Sequence, residues 1–134
     1  MTPQHALQLA QAAVVSTPHG AIQYRQAGHG PTVTHVLLHG IGSASASWAY
    51  QLAVCHNSNQ HRVLAWDAPG YGHSTALTPA QPTAHDYALR MWEWLDALQA
   101  QAPITLVGHS LGALMAARAA LTQPQRVQRV VLLS

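Results

Sequence analysis

Short apolar runs alternate with longer segments of helical periodicity along this 134-residue chain. Five runs predict strands: Ala21–Ala27, Val33–Leu38, Arg62–Trp66, Ile104–Val107 and Val127–Leu133. The first alternates apolar and polar residues, which places it near a sheet edge, whereas several others are typical of strands buried on both faces. The alternation of strands and helices predicts an α/β fold with a mostly parallel sheet and helices on both faces.

Three segments predict helices. The clearest covers residues 84–98, where Thr83 is a candidate N-cap and Asp86 stands three residues further on, as in a capping box. A second follows over residues 111–122 and is rich in alanine, which would let it approach a sheet closely. A third is predicted over residues 4–14. Residues 1–19 are therefore interpreted as an N-terminal extension, and residues 20–134 as part of one domain.

Composition narrows the function classes. Hydrophobic residues make up 49% of the chain and charged residues 7%, which supplies material for a core. The six basic residues are scattered arginines, so no nucleic-acid surface is predicted. No apolar tract predicts a membrane span, and no Cys/His cluster predicts a metal site or another cofactor. The single cysteine, Cys55, cannot form an intrachain disulfide, and a cytoplasmic location is expected.

The strongest chemical signal is Gly108-His109-Ser110-Leu111-Gly112, which lies between the strand ending at Val107 and the alanine-rich helix. A serine on a tight strand-to-helix turn adopts a strained backbone, and glycines two residues before and after it remove Cβ atoms that would clash. The hydroxyl then projects at the carboxyl end of the sheet. This context predicts that Ser110 is a catalytic nucleophile.

A second glycine-rich turn, His39-Gly40-Ile41-Gly42, follows the strand that ends at Leu38. Acyl transfer develops negative charge on a carbonyl oxygen, and two backbone N–H groups directed at that oxygen stabilise it. Leu111, the residue after the nucleophile, is the candidate for one donor. Ile41 is the candidate for the other, so the two turns together predict an oxyanion hole.

A third motif, Asp67-Ala68-Pro69-Gly70-Tyr71-Gly72-His73-Ser74, follows the strand ending at Trp66. With His39-Gly40 and Gly108–Gly112, it makes the chain resemble the α/β-hydrolase superfamily over about residues 20–134. The resemblance implies a serine hydrolase that cleaves esters, lactones or related acyl or carbon–carbon bonds in a small-molecule substrate. It also implies that Asp67 braces a loop, because the family's catalytic acid comes later in the chain.

The family's order places an acid and then a histidine after the nucleophile, yet Leu111–Ser134 contains no Asp, Glu or His. The expected fold is therefore an incomplete α/β-hydrolase fold that ends at about the sixth strand, and the chain alone is expected to be inactive. His39, His73 and His109 are the candidates for a substitute base. We expect them instead to be ordinary loop or packing residues.

Two other functions are compatible with parts of the sequence. In the first, the chain is catalytically silent and self-associates through an exposed final strand, Val127–Leu133. In the second, Gly40-Ile41-Gly42 and Asp67 belong to a dinucleotide-binding module, in which an acid after the second strand would bind the ribose. Ser45 occupies the third glycine position of that fingerprint, and the module would leave the Ser110 motif unexplained.

Overall fold

The computed structural model describes residues 1–134 and contains one six-stranded sheet. Its strands are β1 (Ala12–Thr17), β2 (Gly20–Ala27), β3 (His35–Leu38), β4 (Val63–Trp66), β5 (Ile104–His109) and β6 (Val127–Leu133). Its helices are α1 (Pro3–Gln8), α2 (Ala49–Cys55), α3 (Ala84–Ala97) and α4 (Leu111–Thr122). Short 3₁₀ turns precede α2 and β6, at Ser45–Trp48 and Pro124–Arg126.

The strands lie in the order β1-β2-β4-β3-β5-β6. The pairs β4–β3, β3–β5 and β5–β6 are parallel, whereas β1–β2 and β2–β4 are antiparallel. This arrangement confirms the predicted α/β class with a mostly parallel sheet. Because β3, β4 and β5 are adjacent and parallel, the turns that follow them all lie at the same edge of the sheet, and these turns carry the three motifs.

The sheet separates two apolar cores. Alternate side chains of the central strands point to opposite faces, as the period of a strand requires. Leu38, Leu64 and Leu106 pack with α3 and α4 in a core of 18 buried residues, which includes Trp66 and Trp94. Leu37, Val63 and Ala65 lie in a separate core of seven buried residues with Trp48 and Leu52, on the face covered by α2.

The N-terminal segment differs from the predicted helix over residues 4–14. The helix α1 ends at Gln8, and residues 12–17 form the edge strand β1, which pairs with β2 along its whole length. Val14 and Val15 are β-branched and favour a strand. The Ala, Gln and Leu residues before them favour a helix, so the sequence pattern does not mark where α1 ends and β1 begins. The predicted strand Ala21–Ala27 corresponds to β2 and lies one position inside the edge.

The two helices on the larger core begin and end close to their predicted limits. Thr83 caps α3, accepting a hydrogen bond from the Asp86 amide, while the Asp86 carboxylate accepts from the Thr83 amide at 2.7 Å. The expected capping box is thus confirmed. The alanine-rich α4 is packed close to the sheet, with Ala116 and Ala119 completely buried. No helix of the chain has both the length and the apolar character needed to cross a bilayer.

Replacing Leu106 by alanine should lower the free energy of unfolding by about 2–5 kcal/mol, because this completely buried β5 side chain would leave a cavity. Urea unfolding followed by circular dichroism measures the change. Leu121→Ala is the matched control, since Leu121 on α4 is 73% exposed. Equal effects of the two substitutions would contradict the burial of Leu106 between β5 and the helices.

Candidate active site

Ser110 occupies a sharp turn between β5, which ends at His109, and α4, which begins at Leu111. Its backbone angles are φ 57° and ψ −119°, in a region that L-residues with a side chain rarely adopt. Strain of this kind costs about 1–3 kcal/mol and persists only where the surroundings enforce it. The side chain is exposed at the carboxyl end of the sheet.

The glycines on either side of Ser110 are required by close backbone contacts. A Cβ atom on Gly112 would collide with the Leu38 carbonyl oxygen at the end of β3, and would lie 2.7 Å from the carbonyl oxygen of His39. A Cβ atom on Gly108 would collide with the carbonyl oxygen of Gly112. The motif glycines therefore bring the start of α4 against both β5 and β3.

The main chain of Ser110 is held by hydrogen bonds, whereas its hydroxyl is free. Its amide donates to the Leu133 carbonyl at 2.9 Å, and its carbonyl accepts from the Ala113 amide at 2.9 Å. The hydroxyl makes no hydrogen bond with any side chain or backbone group of the chain. No histidine ring therefore hydrogen-bonds to the Ser110 hydroxyl in this structure.

The turn after β3 packs directly on the Ser110 turn. A Cβ atom on Gly40 would lie 3.1 Å from the Cβ of Ser110 and 3.2 Å from the Nδ1 of His109. The Ile41 amide makes no hydrogen bond, and its side chain is 73% exposed. The Leu111 amide, at the first position of α4, precedes the intrahelical ladder. Both candidate oxyanion donors thus belong to turns that touch at Ser110.

The His39 ring is buried, with 2% of the residue exposed. Its Nδ1 lies 2.8 Å from the Gly40 carbonyl oxygen, and its Nε2 accepts the Ala68 amide at 3.0 Å. Burial lowers the pKa of His39 below its usual value, although the Gly40 carbonyl and Asp67 act in the opposite direction. His39 is consequently neutral near pH 7, and both ring nitrogens are engaged, so it cannot serve as a base for Ser110.

Side chains of the turn after β4 hold the loop that follows β3. The Asp67 carboxylate is buried and accepts the Ser45 amide at 2.8 Å. The Tyr71 ring packs edge-on against His39 with 4.9 Å between centroids, and its hydroxyl accepts the Gly42 amide at 3.4 Å. Ser45 and Tyr71 were not assigned these roles from the sequence, since only their proximity in the fold reveals them.

The other histidines proposed as substitute bases make no hydrogen bond with Ser110 through their rings. The His73 side chain is exposed, and its backbone amide donates to the Gln23 side chain at 2.7 Å. His109 is exposed beside Gly40. No group of three His, Cys, Asp or Glu side chains is arranged to hold a metal ion.

The geometry disagrees with a dinucleotide-binding module. A ribose-binding acid must present its carboxylate to the ligand, whereas Asp67 is 4% exposed and its carboxylate bonds to the Ser45 amide. The helix α2 also begins only at Ala49, after an intervening 3₁₀ turn. The glycines of the β3 turn therefore do not lead directly into a helix N-terminus that could bind a pyrophosphate.

Comparison with known proteins agrees with this geometry. A family model described as the alpha/beta hydrolase fold matches residues 36–134, which include all three motifs. The chain belongs to the α/β-hydrolase family. Similar solved structures cover nearly the whole chain, but the chain covers only part of them, so it contains a partial α/β-hydrolase fold.

Relatives of this α/β-hydrolase chain include several hydrolases. It is 33% identical over 99 residues to (E)-2-((N-methylformamido)methylene)succinate hydrolase of Acinetobacter baylyi, covering 74% of this chain and 36% of that protein. It is 39% identical over 98 residues to the pimeloyl-[acyl-carrier protein] methyl ester esterase of Aliivibrio fischeri, covering 72% and 34%. The structure of an epoxide hydrolase from an endophytic Streptomyces aligns with a TM-score of 0.75 and 32% identity, covering 93% and 37%. The chain thus spans little more than a third of the length of these relatives.

Acidification should destabilise the chain below about pH 6.5, because His39 and His35 have lowered pKa values in the folded state. Burial is the main cause for both, and the unfolded chain binds protons more readily than the folded chain. The contribution of these two neutral histidines to the free energy of unfolding is therefore fully present above their pKa in the unfolded chain. It is lost as the pH falls toward their pKa values in the folded chain. Urea midpoints between about pH 7.5 and about pH 5 measure this loss. His39→Asn should reduce the pH dependence, and an unchanged dependence would contradict the neutral state assigned to His39.

Proposed function

We propose that this chain carries the nucleophile and the oxyanion hole of a serine hydrolase, with Ser110 as the nucleophile. The backbone conformation of Ser110 is the main support, since a non-glycine residue is held at φ 57° with its side chain exposed beside Gly40. Strain at an exposed serine on a strand-to-helix turn is typical of a catalytic nucleophile. Membership of a hydrolase family supports the same assignment.

In the proposed mechanism, the Ser110 oxygen attacks an acyl carbon and a base removes its proton. The carbonyl oxygen becomes an oxyanion, which accepts hydrogen bonds from the Ile41 and Leu111 amides. Collapse of this intermediate expels the leaving group and leaves an acyl-enzyme that water hydrolyses. Loss of one well-placed donor lowers kcat by about 10²–10³-fold. Since these donors are main-chain groups, their loss requires a change in the backbone rather than in the Ile41 or Leu111 side chain.

This mechanism needs a general base, but no side chain of the chain hydrogen-bonds to the Ser110 hydroxyl. The Ser110 hydroxyl is free of hydrogen bonds, and the buried His39 ring has both nitrogens engaged. A serine without a base is a weak nucleophile, and loss of a triad member costs about 10⁴–10⁶ in turnover. We therefore propose that the chain by itself reacts at Ser110 but turns over very slowly.

The proposed substrates are small molecules with an ester or related acyl group. One relative is named as a methyl ester esterase, and another as the hydrolase of a methylformamido succinate compound. The first name states the hydrolysis of an ester, a reaction that forms an oxyanion at the carbonyl group and for which an oxyanion hole is suited. The side chains of Ser110 and Ile41 are exposed, and Gly40, next to Ile41, packs against Ser110, which supports the approach of a carbonyl group at this place.

An excess of a fluorophosphonate probe should modify Ser110 slowly, and Ser110→Ala should remove the modification completely. Intact-protein mass spectrometry and peptide mapping measure both. Ser47→Ala is the control, because Ser47 is also exposed but its hydroxyl donates to the Ala44 carbonyl within its own turn. Labelling that persists in Ser110→Ala would contradict the nucleophile assignment. Labelling of the parent as fast as that of a complete triad enzyme would show that the chain does contain a base.

A second proposal concerns self-association through β6. This strand is the unpaired edge of the sheet next to β5, and it exposes Val131, Leu132 and Leu133 by 36%, 56% and 41%. An apolar edge with free backbone groups is a template for pairing with another strand. We propose that two copies pair antiparallel through β6, which would also cover these three side chains.

Val131→Lys should convert this assembly to a monomer, because antiparallel pairing brings like charges of the two copies close together. Size-exclusion chromatography with light scattering, over a series of protein concentrations, gives the molecular mass. Val14→Lys is the matched control on β1, the other edge strand, where Val14 is 56% exposed. A parent chain that is monomeric at every concentration would refute the association, and equal effects of both substitutions would refute the choice of β6.

A further inference from the structure

We infer that His39 is a positioning residue that directs the Ile41 amide toward the oxyanion through the peptide group between Gly40 and Ile41. The inference rests on the proposed function only in naming Ile41 as an oxyanion donor. The positioning itself depends on two hydrogen bonds of a buried ring and on the planarity of one peptide bond. His39 would thus act on the reaction without touching the substrate.

The two partners of the His39 ring determine which nitrogen carries the proton. The Ala68 amide, 3.0 Å from Nε2, can only donate, so Nε2 must be the bare acceptor. The Gly40 carbonyl oxygen, 2.8 Å from Nδ1, can only accept, so Nδ1 must carry the hydrogen. One neutral tautomer satisfies both contacts. In the imidazolium, a hydrogen on Nε2 would face the hydrogen of the Ala68 amide, so that hydrogen bond would be lost. The opposite neutral tautomer would lose both hydrogen bonds.

The hydrogen bond to Gly40 fixes the direction of the neighbouring amide. The Gly40 carbonyl and the Ile41 amide belong to the same peptide group, which is planar and trans. Their C=O and N–H bonds therefore point in opposite directions. Because the His39 ring holds the Gly40 carbonyl oxygen, the Ile41 N–H is turned away from the ring. That amide makes no hydrogen bond within the chain and remains available to a ligand.

Other contacts of the loop do not replace this one. The Ser43 amide also donates to the Gly40 carbonyl at 3.2 Å, but both residues belong to the same turn and move with it. The long Gly42–Tyr71 hydrogen bond, at 3.4 Å, holds the following peptide group instead. Only His39 connects the Gly40 carbonyl to the backbone after β4, at Ala68. The ring therefore couples the orientation of Ile41 to the rigid central strands.

The unmodified protein provides the first test, because the proposal requires one tautomer. The imidazole ¹⁵N resonances of His39 near neutral pH should show a protonated Nδ1 and a bare Nε2. The Nδ1 proton should also exchange slowly with water, since the ring is buried. Detection of the Nε2-protonated tautomer or of the imidazolium under these conditions would overturn the proposal without any substitution.

A pair of substitutions separates the two ring contacts. In His39→Asn, the side-chain amide can occupy the position of Nδ1 and still donate to the Gly40 carbonyl. In His39→Gln, the longer side chain brings its amide to the position of Nε2, which retains the Ala68 contact and loses the Gly40 contact. Residual dipolar couplings of the Ile41 amide report its orientation in each protein. We expect Ile41 to reorient in His39→Gln and to keep its orientation in His39→Asn.

The rate of fluorophosphonate labelling at Ser110 gives the functional comparison. It should fall by about 10–100-fold in His39→Gln, because one oxyanion donor is misdirected, and by less than about threefold in His39→Asn. An Ile41 amide that keeps its orientation in both variants would overturn the positioning role. Reorientation with an unchanged labelling rate would refute Ile41 as an oxyanion donor. Absence of labelling in the parent would instead contradict the proposed nucleophile, and the couplings would still decide the role of His39.

Discussion

The close contact between the first turn of α4 and the end of β3 is the constraint on which the candidate site depends. Gly112 lies so near the Leu38 and His39 carbonyl oxygens that no side chain fits there. Burial of Met115, Ala116 and Ala119 keeps α4 in this position. The packing of one helix against the sheet thereby holds Ser110 in its unfavourable backbone conformation and brings Gly40 beside it.

A second layer of contacts makes the loop after β3 part of a rigid unit. Asp67 and His39 have side chains that suggest acid–base chemistry, yet each is buried and bonded to a backbone amide. They connect the turns after β3 and β4, and Tyr71 covers the junction. The groups proposed to meet a substrate, by contrast, are exposed or belong to the main chain. In the proposed site, buried ionisable side chains hold the turns in place, and main-chain amides would provide the electrostatic stabilisation.

Much of this organisation could be predicted from the sequence, because parallel central strands leave continuous apolar runs and the Ser110 motif has a distinctive glycine spacing. The edge strand β1 was missed, since its small residues follow a helix-forming segment and only pairing with β2 makes it a strand. The role of His39 was missed for a related reason. Its partner Ala68 is distant in the chain, and no local pattern indicates which backbone group meets which ring nitrogen.

The unequal cores on the two faces of the sheet have a consequence for the dynamics of the chain. Eighteen buried residues join α3 and α4 to the sheet, whereas seven form the core beneath α2. Regions with fewer buried apolar contacts open at lower free energy. Transient opening should therefore begin with the layer of α1 and α2, exposing their amides to exchange while β5 and α4 stay closed. The Ser110 turn should therefore belong to the slowly exchanging part of the molecule.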